Sequence, residues 1–255
     1  MFDRRRKRVD TLVSFLEQRG PIHLKQAADM LDVSEMTVRR DIAEAKGSLA
    51  FYGGYIAPVK DFGATSYAMN TEEDRNASKK AAAGRKAASL VENGDTVFID
   101  CGTTTPHIAK ALPEDLELTV VCYSLNIANI VCKNERWRVI MLGGIFYPNT
   151  QVFKGAYSLS LLGQVAITKA FVSAGGVHEK RGLTCSNFYE VEVKQAVLRA
   201  TDSRFVVVDS SKFSLVKPAF FAPLAEAGTI IADAVPEDYA RVIESAGLSV
   251  LLGAD

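Results

Sequence analysis

Long apolar runs are missing from this 255-residue chain. No stretch approaches the ~18 residues a membrane-spanning helix needs, so a bilayer-embedded protein is not expected. Cysteine is scarce. Cys101, Cys122, Cys132 and Cys185 form neither a CxxC pair nor a disulfide scaffold, so they are expected to be buried thiols in a reducing cytoplasm. The three histidines, His23, His107 and His178, are scattered without paired ligand spacing, so no metal or other cofactor is expected. The basic start, MFDRRRKRVD, lacks the apolar core of a secretory signal. An excess of one charge is lacking too, since 30 Lys/Arg balance 30 Asp/Glu. The imbalance is local: residues 1–60 hold 11 basic against 8 acidic residues, and 61–255 hold 19 against 22. That is no nucleic-acid signature by itself. The adjacent Arg4, Arg5, Arg6, Lys7 and Arg8 equally suit a solvated helix end.

What is present is a globular composition, 48% hydrophobic, arranged in two textures. The first is helical. Val9, Leu12, Val13 and Leu16 make one apolar stripe that Gly20-Pro21 closes. Leu24, Ala27, Ala28 and Leu31 make a second, and a third helix begins at Ser34, a good N-cap, and runs to about Ala45. SLAFYGGYIAP then alternates like a small hairpin wing around Gly53-Gly54. Residues 59–76 show little periodicity and read as a linker between a unit at 1–58 and one at 77–255. In the second unit TVFID, LTVVCYS, RVIMLGG, KAFVSAGG, RFVVVDS and TIIAD alternate with helical patterns near 77–92, 105–112, 125–134, 187–201 and 237–246. Continuous Val/Ile-rich strands between helices predict an α/β fold, its parallel sheet covered on both faces.

Winding the third helix at about 100° per residue puts Val38, Ile42 and Ala45 on one side. Met36 and Arg40 point away, flanked by Thr37 and Arg39. Such a face suits a helix laid in the major groove, with one arginine reading guanine and the other gripping phosphate. A protein–protein module would use the same three-helix frame.

Ligands of open parallel sheets bind at the carboxyl ends of the strands. Polar residues collect there: Asp100-Cys101-Gly102-Thr103-Thr104-Thr105, Cys122-Tyr123-Ser124, Gly143-Gly144, Gly175-Gly176 and Asp209-Ser210-Ser211-Lys212. Gly102 allows close approach of a ligand, the threonine hydroxyls and helix-start amides make an anion site, and Lys212 could add the countercharge. A small sugar phosphate fits that set. An ordinary N-cap at the threonines and a loop-capping Asp209 are the bland alternatives.

AADMLDVSEMTVRRDI resembles the helix-turn-helix of the DeoR family of bacterial transcriptional regulators. Two departures stand out: Asp32 replaces the usual turn glycine, and Ala50-Phe51-Tyr52 precede Gly53-Gly54 where the family carries a basic wing. DCGTTT, MLGG, GLT, EVEVK and DSSK resemble the family's sensor domain, related in fold to ribose-5-phosphate isomerase and CoA transferases. The resemblance implies an N-terminal winged helix-turn-helix that reads operator DNA through Ser34, Met36, Thr37, Arg39 and Arg40. It implies a C-terminal parallel α/β sensor whose phosphorylated sugar meets Asp100, Gly102, Thr103, Thr104, Thr105, Glu190, Lys194 and Lys212. VCYSLN, AGGVHEKRGLTC and LGGIFYPN resemble the family's deoxyribose-operon subgroup, which implies deoxyribose 5-phosphate as inducer. Tyr123, standing in a variant segment, is the candidate reader of the sugar's 2-position. The competing class is a sugar-phosphate isomerase, which needs a carboxylate base. Isomerases of this fold carry a D-G-A-D-E segment where this chain has Ser173-Ala174-Gly175-Gly176-Val177, so a sensor rather than an enzyme is expected. A homo-oligomer is expected as well, because reading units must match the spacing of operator half-sites.

Overall fold

The structure, a computed structural model, describes residues 2–19, 22–44, 49–52, 55–58 and 76–253. The helix stop at Gly20-Pro21, Ala45, the Gly53-Gly54 turn and 59–75 of the expected linker lie outside these residues. The chain divides into two units, 1–66 and 67–255.

In the first unit the expected helices form α1 (Phe2–Arg19), α2 (Leu24–Leu31) and α3 (Glu35–Glu44). A short β1 (Ile22–His23) pairs with a hairpin of β2 (Leu49–Tyr52) and β3 (Tyr55–Pro58) in the order β1-β3-β2, which is the wing. Leu12, Leu16, Leu24, Ala27, Val38, Ile42 and Ile56 close around one core. Asp32 ends α2 in the left-handed conformation, φ 51° and ψ 50°, with its N–H turned back to Ala28 and Asp29 carbonyls. Aspartate tolerates that region, so it serves where glycine would. Arg8 is not spare charge: its Nε donates to Asp41 Oδ2 at 2.6 Å and ties α1 to α3. That hydrogen bond holds the guanidinium's pKa above its ordinary value.

The second unit runs through α4 (Ala77–Ala88), β4 (Thr96–Ile99), α5 (Thr105–Ala111), β5 (Thr119–Cys122), α6 (Leu125–Val131) and β6 (Arg138–Met141). A hairpin of β7 (Ile145–Tyr147) and β8 (Val152–Lys154) follows, then α7 (Ala156–Leu162) and β9 (Lys169–Ser173). After β10 (Gly176–His178) and β11 (Gly182–Cys185) come α8 (Val191–Ala200), β12 (Arg204–Val207), β13 (Ala219–Ala222), β14 (Thr229–Ala232), α9 (Glu237–Ser245) and β15 (Ser249–Leu252). The main sheet is seven-stranded and parallel throughout, in the order β15-β14-β12-β9-β4-β5-β6. Consecutive residues such as Val97-Phe98-Ile99 and Ala170-Phe171-Val172 are wholly buried, as helices on both faces require. A separate antiparallel sheet has the order β10-β11-β13. KAFVSAGG, expected as one strand, therefore breaks: β9 ends at Ser173 and Gly176 opens a strand of the other sheet.

The β4–β9 junction is fastened at its amino end by Asp95, which accepts from Lys169 Nζ at 2.6 Å, Thr168 Oγ1 at 2.7 Å and Glu92 N–H at 2.8 Å. Burial pushes the Asp95 pKa up, but these donors outweigh it and hold the carboxyl below its ordinary 3.8. A depressed carboxyl adds stability above its unfolded pKa and loses it as pH falls through the folded one. Asp95→Asn is therefore expected to cost about 1–2 kcal/mol at pH 7 for this partly solvated pair. Denaturant titrations from pH 7 downward should show the difference from wild type shrinking below pH 3.8.

Candidate functional site

On α3, Val38 and Ile42 are buried while Met36, Arg39 and Arg40 are exposed, Met36 by 72%. Ser34 caps the helix, accepting from Thr37 N–H at 3.2 Å, and its hydroxyl pairs with Thr37 Oγ1 at 2.9 Å. Of the five residues expected at DNA, Ser34 and Thr37 thus shape the helix start. Met36, Arg39 and Arg40 form the outward face.

In the second unit the chain steps from β4 to β5 and β6 on one side, then returns to β9 and continues to β12, β14 and β15 on the other. The direction reverses between β4 and β9, where an open parallel sheet leaves a crevice beyond its carboxyl ends. Asp100 and Ser173 stand at that point. Asp100 accepts from Tyr123 OH at 2.7 Å, from Ser173 N–H at 2.7 Å, from Ser173 Oγ at 2.9 Å and from Lys194 Nζ. Lys194 also donates to the Ser173 carbonyl at 2.9 Å and sits 5.3 Å from the centre of the Phe221 ring. Burial pushes the Lys194 pKa down, but the charges of Asp100 and Glu190 outweigh it and the ammonium stays protonated. Burial raises Tyr123, reinforced by Asp100, so the phenol remains a neutral donor. Burial also raises Glu190, against the opposing pull of Lys194 at 3.9 Å and of Asn187 Nδ2, which donates at 2.8 Å.

These residues form a closed network. Asp100, Tyr123 and Lys194 are at most 1% exposed and satisfy one another, so they brace the β4 and β9 ends instead of facing open space. Tyr123 in particular turns its hydroxyl onto Asp100 at 2.7 Å and Cys101 Sγ at 3.0 Å. Strand-end position identifies polar residues near a crevice but not which of them saturate each other.

Other groups are left over. Among the described residues, four buried side-chain atoms lack a hydrogen-bond partner: Arg204 Nε at the start of β12, and Thr105 Oγ1, Ser124 Oγ and Asp209 Oδ2, which follow parallel strands. A buried hydroxyl left unpaired costs about 1–3 kcal/mol, so such atoms call for a ligand or water. Thr105 and Ser124 follow the adjacent strands β4 and β5. After β4, Gly102, at φ +114°, carries the loop in a conformation that other residues rarely adopt, and Asn126 Nδ2 donates to its carbonyl at 3.0 Å. Thr103 and Thr104 are buried beside it. Lys212 follows β12 with its Nζ 3.8 Å from Asp209 Oδ2, and Asp209 caps that turn by accepting Ser211 N–H at 3.0 Å. Ser124 was not expected as a site residue, although the polar end of LTVVCYS marked its position. Cys132 also departs from expectation: it is exposed, while Cys101, Cys122 and Cys185 are buried. Among the described residues no cluster of His, Cys, Asp or Glu could hold a metal, and no helix is long and apolar enough to cross a membrane.

Residues 8–60 match the model of the DeoR-like helix-turn-helix domain, and residues 75–234 match that of the DeoR C terminal sensor domain. The chain belongs to the DeoR family. This DeoR-family regulator is 37% identical to the deoxyribose operon repressor of Escherichia coli K12 over 93% of its own length and 94% of that protein. It is 30% identical to the lactose phosphotransferase system repressor of Staphylococcus epidermidis, over 89% and 91% of the two chains. The sensor fold is also similar to ribose 5-phosphate isomerase A of Methanocaldococcus jannaschii, with a TM-score of 0.41, 18% identity and 54% and 55% of the chains covered. The DeoR-family chain is a transcription regulator.

Proposed function

We propose that this regulator is a repressor that reads operator DNA through Met36, Arg39 and Arg40 and releases it when a sugar phosphate enters the crevice beyond β4, β5 and β12. The reading unit is residues 1–58, joined by 59–76 to the sensor at 77–255. Deoxyribose 5-phosphate is the foremost effector, and genes of nucleoside and sugar catabolism are the targets; the deoxyribose operon repressor among the relatives supports this choice. The observation that supports the sensor reading is the pair of orphaned hydroxyls, Thr105 Oγ1 and Ser124 Oγ, which follow the adjacent parallel strands β4 and β5. Thr103, Thr104 and Lys212 complete an anion cradle, and Asp100, Glu190 and Lys194 brace it. The effector binds the DNA-released arrangement better and shifts the population towards it.

A melting-temperature screen of pentose and hexose phosphates against the free sugars tests this, because a ligand that binds only the folded chain stabilises it by about 2.7 kcal/mol at a hundredfold excess over Kd. Deoxyribose 5-phosphate should raise the Tm and deoxyribose should not. Thr105→Val and Lys212→Ala should remove the rise and the effector's release of operator, leaving operator affinity in its absence unchanged. A flat screen across all the phosphates would sink the sensor reading.

A further inference from the structure

The chain that leaves the DNA-reading unit enters the described part of the sensor at Asn76, directly before α4. Asn76 stands at the N-cap position of α4 but does not cap it. Its side chain makes no bond to the helix amides, and its backbone is left-handed, at φ 58° and ψ 33°. Asparagine at an N-cap ordinarily sits in extended backbone and accepts an amide hydrogen of the first turn. Here that bond is given up, in a backbone region that residues other than glycine adopt uncommonly.

The side chain is used elsewhere. Its Nδ2 donates to Asp209 Oδ1 at 3.2 Å and to Ser211 Oγ at 3.1 Å, 133 and 135 positions further along the chain. Three residues after Asn76, Lys79 Nζ donates to Ser210 Oγ at 3.0 Å. Asp233 accepts from that hydroxyl at 2.9 Å and from Ser210 N–H at 2.6 Å. The turns that follow β12 and β14 therefore hold the point at which the chain arrives from the reading unit.

Asp209 faces both ways. Oδ1 accepts from Asn76 and from Ser211 N–H at 3.0 Å. Oδ2 is buried without a hydrogen-bond partner and stands 3.8 Å from Lys212 Nζ, on the side of the proposed anion cradle. The two oxygens share one charge and one rigid plane. A group that engages Oδ2, or draws Lys212 away from it, changes what Oδ1 holds. We propose that Asn76 is the positioning residue that couples the crevice to the DNA-reading unit. It touches no ligand; through Asp209 it registers the sugar phosphate and fixes the end of the segment leading to the reading helix. The inference rests on the sensor reading.

Asn76→Gly isolates the amide, because glycine keeps the left-handed backbone without steric cost. Anisotropy of the full chain with labelled operator, with and without saturating deoxyribose 5-phosphate, gives the ratio by which the effector weakens operator binding. Wild type should show a ratio of at least about tenfold, within the usual range of allosteric coupling. In Asn76→Gly the ratio should fall below about threefold, while calorimetric effector affinity and effector-free operator affinity each stay within about threefold of wild type. A stitch that only stabilised α4 would lower the melting temperature and leave the ratio intact. A folded variant with the wild-type ratio overturns the proposal, as does one that loses effector or operator binding outright. If Asn76→Gly does not fold, Asn76→Asp decides by the same ratio, since aspartate tolerates the left-handed region but when ionised donates nothing. A wild type that neither binds nor answers deoxyribose 5-phosphate overturns the coupling together with that effector. A responding wild type beside an equally responding variant overturns the coupling alone.

Discussion

Lys194→Met is expected to lower the stability of the sensor unit by about 3–5 kcal/mol, the cost of leaving a buried charge unpaired. Asp100 is fully buried, and Lys194 is its only cationic partner within salt-bridge distance among the described residues. Methionine fills the stem's volume but supplies no donor. Tyr123 and the two Ser173 donors remain, and they solvate the carboxylate only in part. Asp100→Asn combined with Lys194→Met should recover most of the loss, because neither charge is then stranded. A raised ammonium adds stability that is complete below its unfolded pKa of 10.5 and is lost as pH rises through the folded one. The loss in Lys194→Met should therefore hold across neutral pH. Urea titrations at pH 7 of the two variants and wild type measure both effects. A midpoint unchanged in Lys194→Met would show that the network braces nothing.

Arg40→Ala is expected to weaken operator binding by about 1–3 kcal/mol, roughly 5- to 150-fold, and to relax the preference for one base. Arg40 lies on the exposed side of α3, away from Val38 and Ile42, so its removal leaves the core intact. Fluorescence anisotropy with labelled operator and single-base variants, at one fixed salt concentration, gives both numbers. Equal affinity in the variant would remove α3 as the reading helix. Arg8→Ala is the contrasting change. It breaks the 2.6 Å bond to Asp41 and should lower the melting temperature of the first unit without altering base preference.

Both textures of the chain were legible for the same reason: each is set by local periodicity. Val38 and Ile42 recur at the helical period, and TVFID or TIIAD reads as a continuous run because a parallel strand is covered on both faces. Where periodicity was weak the reading stopped. AYSLSLL alternates polar and apolar residues in part and lacks a helical stripe, yet forms α7. β10, β11 and β13 hold short segments whose pairing is non-local, and β15 is a half-exposed edge strand.

The sequence by itself determined the two-unit α/β organisation, the outward face of α3 and the clustering of Asp100, Gly102 and the threonines at a strand end. Those features follow from residue spacing along one element or its junction. Only the tertiary structure decided that Asp100, Tyr123, Ser173 and Lys194 satisfy one another and that, among the described residues, the Thr105 and Ser124 hydroxyls have no hydrogen-bond partner. The bonds of that network join residues far apart in the chain, and no local pattern encodes which donor reaches which acceptor.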